Sequence, residues 1–337
     1  MRKFTAVMLS MVLVMSGFMS SLSFISTTKV KAISYDAEYD IAKGQVVIDE
    51  NGNYRIYSND PNKAVKNNIV VTENIDAYIV LENVNIDVSS CDKAAMELKD
   101  GEKTEVTIDL QGTNTLKSGK NCAGLQKSGE EGSLVITSSS QTGKLTATGG
   151  ESGAGIGGGD GGNGSNITIS GGTVVATGGE NGSGIGGGDG GNGSNITISG
   201  GKVTATGGYR GAGIGGGLEG NGSDITISGG SVKASSFGCE PREPNGKKVY
   251  KVELDLYGID RVEAQVMGIY VEQNGKEYSY GAPSRTDLNG KLYIYLPANE
   301  NTKVSVDIRK YDGDDNVANY ESSTFNVTES GASVVLK

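Results

Sequence analysis

Residues 153–181 read GAGIGGGDGGNGSNITISGGTVVATGGEN, and closely related copies begin at Gly182 and at Gly211, each 29 residues after the last. Ile156, Ile185 and Ile214 fall in register, as do Ile167, Ile196 and Ile225, and Val174, Val203 and Val232. A fixed period of this length marks a solenoid, in which one repeat cannot bury its apolar face alone. Inside each repeat the Ile-Thr-Ile and Val-x-Ala stretches alternate with period two, which predicts short strands. Glycine pairs at constant offsets mark corners where the backbone turns sharply. Strand and corner in alternation, with little helical signal, predict an all-β fold, a right-handed parallel β-helix built from 29-residue coils.

The register extends outward from the glycine repeats. Leu116, Leu145, Val174, Val203 and Val232 read as one ladder across five coils, and Met96 lies 29 residues before Leu125. Leu125 precedes Ile156 by 31, which predicts a two-residue insertion at the corner 138–142. Segment 94–119 is then a degenerate coil, and one or two irregular coils before it bring the solenoid to roughly six or seven rungs, spaced by about 4.8 Å. Further upstream the expected strands are 45–49, 53–58, 68–72, 77–81 and 84–88. The DENGN cluster at 49–53 predicts a hairpin that covers the open end of the helix. On this reading Ile185→Ala costs more stability than Ile156→Ala or Ile214→Ala, because it sits in the central coil.

Residues 1–32 have a basic start, an apolar run and Val30-Lys31-Ala32 at the exit, the pattern of a secretory signal peptide, with an uncleaved anchor helix as the alternative because the run is nearly long enough to span a bilayer. The mature protein is then extracellular, with no membrane attachment after cleavage. The β-helix with its N-terminal cap spans 33–236. Residues 237–248, with Pro241 and Pro244, break the period and read as a linker. Residues 249–337 are richer in tyrosine. Alternating runs there, with Asn274-Gly275 and Asn289-Gly290 as hairpin turns, predict a small immunoglobulin-like β-sandwich of antiparallel strands.

The composition excludes several chemistries. A net charge of −10 argues against nucleic acid as a partner. The absence of histidine rules out Ser-His and Cys-His nucleophiles and His-ligated metals. Acidic residues in the regular coils lie mainly in the glycine-rich corners, a poor platform for a carboxylate pair. Asp160 and Asp189 occupy equivalent positions in successive coils. As bare carboxylates they would repel and splay into water. With Asn163 and Asn192 they instead offer hard oxygen ligands for a structural Ca²⁺. A nonapeptide-roll look-alike at 161–166 and an EF-hand look-alike opening at Asp312 both fail at required positions. Cys91 and Cys122 lie near one coil but two positions out of line, so a disulfide between them and a free-thiol state are both open.

Outward residues of the Ile-Thr-Ile strand form an array of hydroxyls and amides: Asn166, Thr168, Asn195, Thr197, Asp224 and Thr226, with Tyr209 as the one aromatic of the regular coils. Exposed strands favour Thr for propensity alone. The functional alternative is a regular face that hydrogen-bonds a regular polymer. The pairs Tyr278/Tyr280 and Tyr293/Tyr295 are either a sugar platform or ordinary strand tyrosines.

GAGIGGG followed by NITISGGTVVATGG, preceded by TIDLQGTNTLKSG and IVLENVNIDV, resembles secreted proteins of Gram-positive anaerobes described as carbohydrate-binding-domain β-helices. The likeness spans about 45–236, and NGKLYIYLP at 289–297 is similar to the segment that often follows such repeats. The resemblance implies a pectate-lyase-like architecture that binds plant-type polysaccharide, such as cellulose or pectin, without cleaving it, in some members with Ca²⁺. Two other classes compete. A polysaccharide lyase or hydrolase would need a base such as Lys99, Lys103 or Lys117. A structural or ice-facing adhesin would use pairs such as Thr146/Thr148 and Thr204/Thr206, which Val175 and Lys233 interrupt.

Overall fold

The computed structural model describes residues 34–259, 263–283, 285–309 and 316–337. The leader 1–32 and the start of the Asp312 loop lie outside these residues. The chain from Ala37 to Ala234 winds as a parallel solenoid with three faces; the first two coils contribute a strand to two of them, and a strand for the remaining face joins from Asn85–Asp87 onward.

In chain order, the first face stacks Ala37–Asp40, Gly52–Tyr57, Asp76–Glu82, Glu105–Gln111, Ser133–Thr137 and Gly164–Ile169, followed by the leading halves of Gly193–Thr206 and Ile225–Ala234. The second face stacks Asn85–Asp87, Thr113–Lys117, Lys144–Thr148 and Thr173–Thr177, then the trailing halves of the same two long strands. The third face runs from Val46–Ile48 through Ile69–Val71, Met96–Leu98 and Leu125–Lys127 to the two-residue strands at Ile156, Ile185 and Ile214. Every pair among these strands is parallel, as the period requires. Between the first and second faces the chain turns at Gly172, Gly201 and Gly230, whose φ values of 77°, 78° and 82° disfavour any side chain.

The core is made of columns. Ile167, Ile196 and Ile225 stack, as do Ile169, Ile198 and Ile227, and Val174, Val203 and Val232, all essentially inaccessible to solvent. The register of Leu116 differs from the sequence reading. It pairs with Ala147, and Asn114 stands opposite Leu145. One column therefore runs Ile86, Leu116, Ala147, Ala176, Ala205, shrinking as the coils become regular. Asn114 is fully buried in the slot that valine takes later. It accepts from Val84 N at 2.9 Å and donates to Gln111 O and Lys144 O at 3.1 Å each, so the burial leaves no amide group unpaired.

The insertion at 138–142 is four residues rather than two, because Leu134 pairs with Ile167 and Leu145 with Val174. A corner shorter by two residues at 128–133 compensates, since Leu125 pairs with Ile156. No hairpin forms at 49–53. Gly52–Tyr57 pairs in parallel with Ala37–Asp40, so the cluster is one more corner. The outermost strand is held by charge instead: Arg55 bridges Glu38 at 2.6 Å and Glu82 at 2.7 Å, and Tyr39 stacks on Tyr54.

At the other end, residues 237–248 are packed rather than a free linker. Phe237 continues the third-face column above Ile214, and Arg242 bridges to Thr226 on the first face. The second domain is a sandwich of two sheets around its own core of Val252, Leu254, Ile269, Ile294, Val306 and neighbours. One sheet holds Lys291–Pro297, Val249–Leu256 and Ala332–Leu336. The other is built on Gln265–Gln273 and Asn299–Arg309. The pairing of Val249–Leu256 with Ala332–Leu336 is parallel, not antiparallel as expected. Asn274-Gly275 is the expected two-residue hairpin turn, with both φ values positive. Asn289-Gly290 instead closes a loop around Asp287, whose Oδ1 accepts from Asn289 N and Lys291 N.

Candidate functional site

The amides expected on a binding array are used inside the fold. Asn166 and Asn195 have left-handed backbones, φ 57° and 50°, and Asp224 follows at 51°. Asn195 Nδ2 donates to Asn166 Oδ1 at 2.6 Å, and Asn166 Nδ2 donates to Glu130 O and Gly132 O. These side chains form a ladder that ties one coil to the next. Thr168, Thr197 and Thr226 do stack in register and are half-buried. Tyr209 is 89% exposed but lies three residues beyond Thr206, at the corner leaving the second face, away from the Thr168 column.

The calcium set is likewise committed. Asn163 Oδ1 accepts from Asn192 N, and Asn192 Oδ1 from Asn221 N, each at 2.8 Å. Asp189 Oδ2 accepts from Asn181 Nδ2 at 2.8 Å. Asp160 is exposed, and its backbone N–H bonds to Asn121 O. With both amide oxygens and the more buried carboxylate satisfied by protein donors, this set does not fit a Ca²⁺ shell of six to eight free oxygens. No cluster of three or more metal-ligating side chains occurs among the described residues.

The lysines considered as a lyase base lie on different parts of the coil. Lys99 pairs with Glu97 beyond the third face at 2.5 Å, and Lys117 lies on the second face, 3.8 Å from Asp87. Lys103 sits at a corner before the first face. The three cysteines are unpaired. Burial, with the Asp92 and Glu97 charges added, pushes the Cys122 thiol up to about 11, which keeps it protonated and a poor nucleophile at neutral pH.

The tyrosines divide. Tyr280 is buried and its hydroxyl accepts from Tyr295 N, while Tyr295 packs edge-on against Phe237 at 5.6 Å. Both belong to the seam between solenoid and sandwich. Tyr278 lines a cleft of about 310 Å³ with Glu243 and Asn245, and burial followed by the Glu243 charge pushes its hydroxyl up to about 12.

The surface that the register assembles most regularly is the second face. Three outward columns run along it. The first is Thr113, Lys144, Thr173, Lys202 and Ser231, the last buried against the second domain with its hydroxyl accepting from Tyr293 N. The second is Thr115, Thr146, Val175, Thr204 and Lys233. The third is Lys117, Thr148, Thr177 and Thr206. Eight of these fourteen positions are threonine and none is acidic; the lowest coil adds Asn85 to the second column and Asp87 to the third. The first face differs, carrying Glu82, Glu105, Asp109 and Asp224. There Asp109 is wholly buried under the 138–142 insertion, accepting from Tyr78 OH, Ser139 N and Ser139 Oγ. Burial and that carboxylate raise the Tyr78 hydroxyl above its ordinary range. The threonine pairs of the second face are legible in the sequence, and Val175 and Lys233 interrupt one of its columns as the spacing predicts.

Residues 143–160, 167–189, 196–218 and 225–244 match the beta helix repeat family model. No curated protein matches the chain. No solved structure matches it either. The four matched segments start at successive coils, and the solenoid is a parallel β-helix whose regular coils are similar to this repeat.

Proposed function

We propose that the chain is a secreted, non-catalytic polysaccharide-binding protein whose binding surface is the second face of the β-helix. The observation that carries this reading is the third column of that face, where Thr148, Thr177 and Thr206 stand in strict parallel register. Coils repeat at about 4.8 Å, so each column offers one hydroxyl per coil, able to donate and accept. A rigid row of this kind suits an extended polymer of hydroxyl-bearing units laid along the solenoid axis. Pre-organisation on strands lowers the entropic cost of each contact. The absence of histidine from the chain, and the restriction of carboxylates on this face to Asp87 at its lower end beside Lys66 and Lys117, supports binding rather than cleavage. Secretion rests on the leader at 1–32.

The test is a pull-down of the purified protein on insoluble cellulose, xylan and pectin, with calcium or with chelator. Retention on at least one glycan is expected, and it is unchanged by chelator because Asn163 Oδ1, Asn192 Oδ1 and Asp189 Oδ2 are already held by protein donors. Failure to bind any glycan refutes the reading.

A further inference from the structure

The second face differs in charge from the rest of the protein. The chain carries a net charge of −10. Yet on this face the charged side chains are Lys117, Lys144, Lys202 and Lys233 with a single acid, Asp87 at its lower end, and no acidic residue among the fourteen outward positions above it. The acids of the regular coils lie off the face: Glu151 and Glu180 at the corners leaving it, Asp160, Asp189 and Glu219 in the glycine corners, and Asp224 on the first face. The strip also crosses onto the second domain. Lys233 Nζ and Lys251 Nζ each lie 5.8 Å from the centre of the Tyr293 ring, which holds two ammonium groups at the upper end of the face.

Several carboxylates that border the strip have other partners, Glu151 with Lys120 at 3.4 Å among them. Asp87, below Lys117, is shared with Lys66 at 3.7 Å. Glu263 is held by Lys202 at 2.6 Å, and Glu253, beside Tyr293, by Lys291 at 2.5 Å. Lys144 is half-buried among threonines, and Lys233 is exposed.

From this we infer that the second face selects an anionic polysaccharide, its hydroxyls meeting the threonine columns and its charged groups meeting Lys144, Lys233 and Lys251. The inference rests on the polysaccharide-binding reading above and adds the charge of the ligand. A basic strip on an acidic protein steers a polyanion to one face and repels it from the others, so charge acts here as orientation as well as affinity.

The experiment compares polygalacturonate with its fully methyl-esterified form, the same backbone without the charge, using the full chain and affinity electrophoresis. The acid form is expected to bind at least about tenfold more tightly. The preference should vanish as ionic strength rises from about 0.1 to about 1 M, which shortens the screening length from about 10 to about 3 Å. Lys144→Glu and the double variant Lys144→Glu/Lys233→Glu should lose the preference with an unchanged melting temperature. Lys247→Glu, on an exposed loop away from the face, should keep it. Should Lys233→Glu loosen the Tyr293 contact and lower the melting temperature, Lys144→Glu alone decides. Equal binding of acid and ester overturns the inference and leaves polysaccharide binding standing, as does binding of the ester alone. Binding of single-stranded DNA as tight as that of polygalacturonate also overturns it, since the face would then collect polyanions of any kind. Binding of neither form, nor of any neutral glycan, defeats the underlying function instead.

Discussion

Two glycines in one corner, Gly188 and Gly190, should respond to alanine in very different degree. Gly190 adopts φ 71°, but an added Cβ would meet nothing nearer than Gly161 Cα at 4.0 Å. Glu219 occupies the equivalent position one coil on with φ 60°, so a side chain is tolerated there. Gly190→Ala carries only the left-handed backbone cost of about 1–2 kcal/mol. Gly188 has an ordinary φ, yet its Cβ would stand 1.9 Å from Gly159 O and 2.6 Å from Gly159 C, both backbone atoms of the coil below. Relief requires separating the two coils, and with them the bonds from Gly188 N to Gly162 O and from Asp189 N to Ser152 O. At about 1–3 kcal/mol per buried bond broken, Gly188→Ala costs about 2–6 kcal/mol. In a domain of this size each kcal/mol moves the melting temperature by about 2–4 °C. Thermal and urea unfolding followed by circular dichroism should therefore rank Gly188→Ala well below Gly190→Ala. Equal effects, or a near-silent Gly188→Ala, would refute the view that coil contact at backbone distance sets the glycine pattern.

The isoleucine column gives a second test. Ile156 lies between Leu125 and Ile185, and Ile214 between Ile185 and Phe237, so each of the three is covered on both sides. Alanine at 156, 185 or 214 should cost about 2–5 kcal/mol in each case, measured by urea unfolding, with no special penalty at 185. Acid stability offers a third. Hydrogen bonds from Ser89, followed by the Lys117 and Lys66 charges, hold the Asp87 carboxyl below its ordinary value. A depressed folded-state pKa stabilises the protein above the unfolded value, and the contribution is lost as pH falls through the folded one. The gap in urea midpoint between wild type and Asp87→Asn should thus be full near neutrality and close on acidification below the usual carboxylate range.

Much of the solenoid was legible because Ile, Val and Gly recur at one spacing in coils 153–235, where each side chain has an identical neighbour above and below. Legibility failed where size is traded between columns. Leu116 sits at 29 residues from Leu145 yet fills the alanine slot, because Asn114 satisfies three backbone groups from the valine slot. The four-residue insertion at 138–142 and the shorter preceding corner nearly cancel, so the spacing of Leu125 and Ile156 hid both. The DENGN cluster carries ordinary turn chemistry, which serves a solenoid corner as well as a hairpin. The site was harder to see. Lys144 and Lys202 stand two periods apart in one column, but Lys117 and Lys233 lie in the other two columns at spacings of 27 and 31, so the period alone does not gather the four onto one face. The amides were misleading for the opposite reason. They are periodic, but their periodicity serves hydrogen-bond ladders between coils.

The measurement closest to the central claim is glycan affinity after isosteric removal of one hydroxyl column. Thr148→Val/Thr177→Val/Thr206→Val keeps shape and strand propensity on the second face while deleting three hydroxyls in register. With a glycan retained in the pull-down, affinity electrophoresis of the triple variant should show binding weakened by at least about tenfold, given about 0.5–1.5 kcal/mol per hydrogen bond, at an unchanged melting temperature. Undiminished affinity in a variant that folds as the wild type does would contradict the claim that this face binds the polymer.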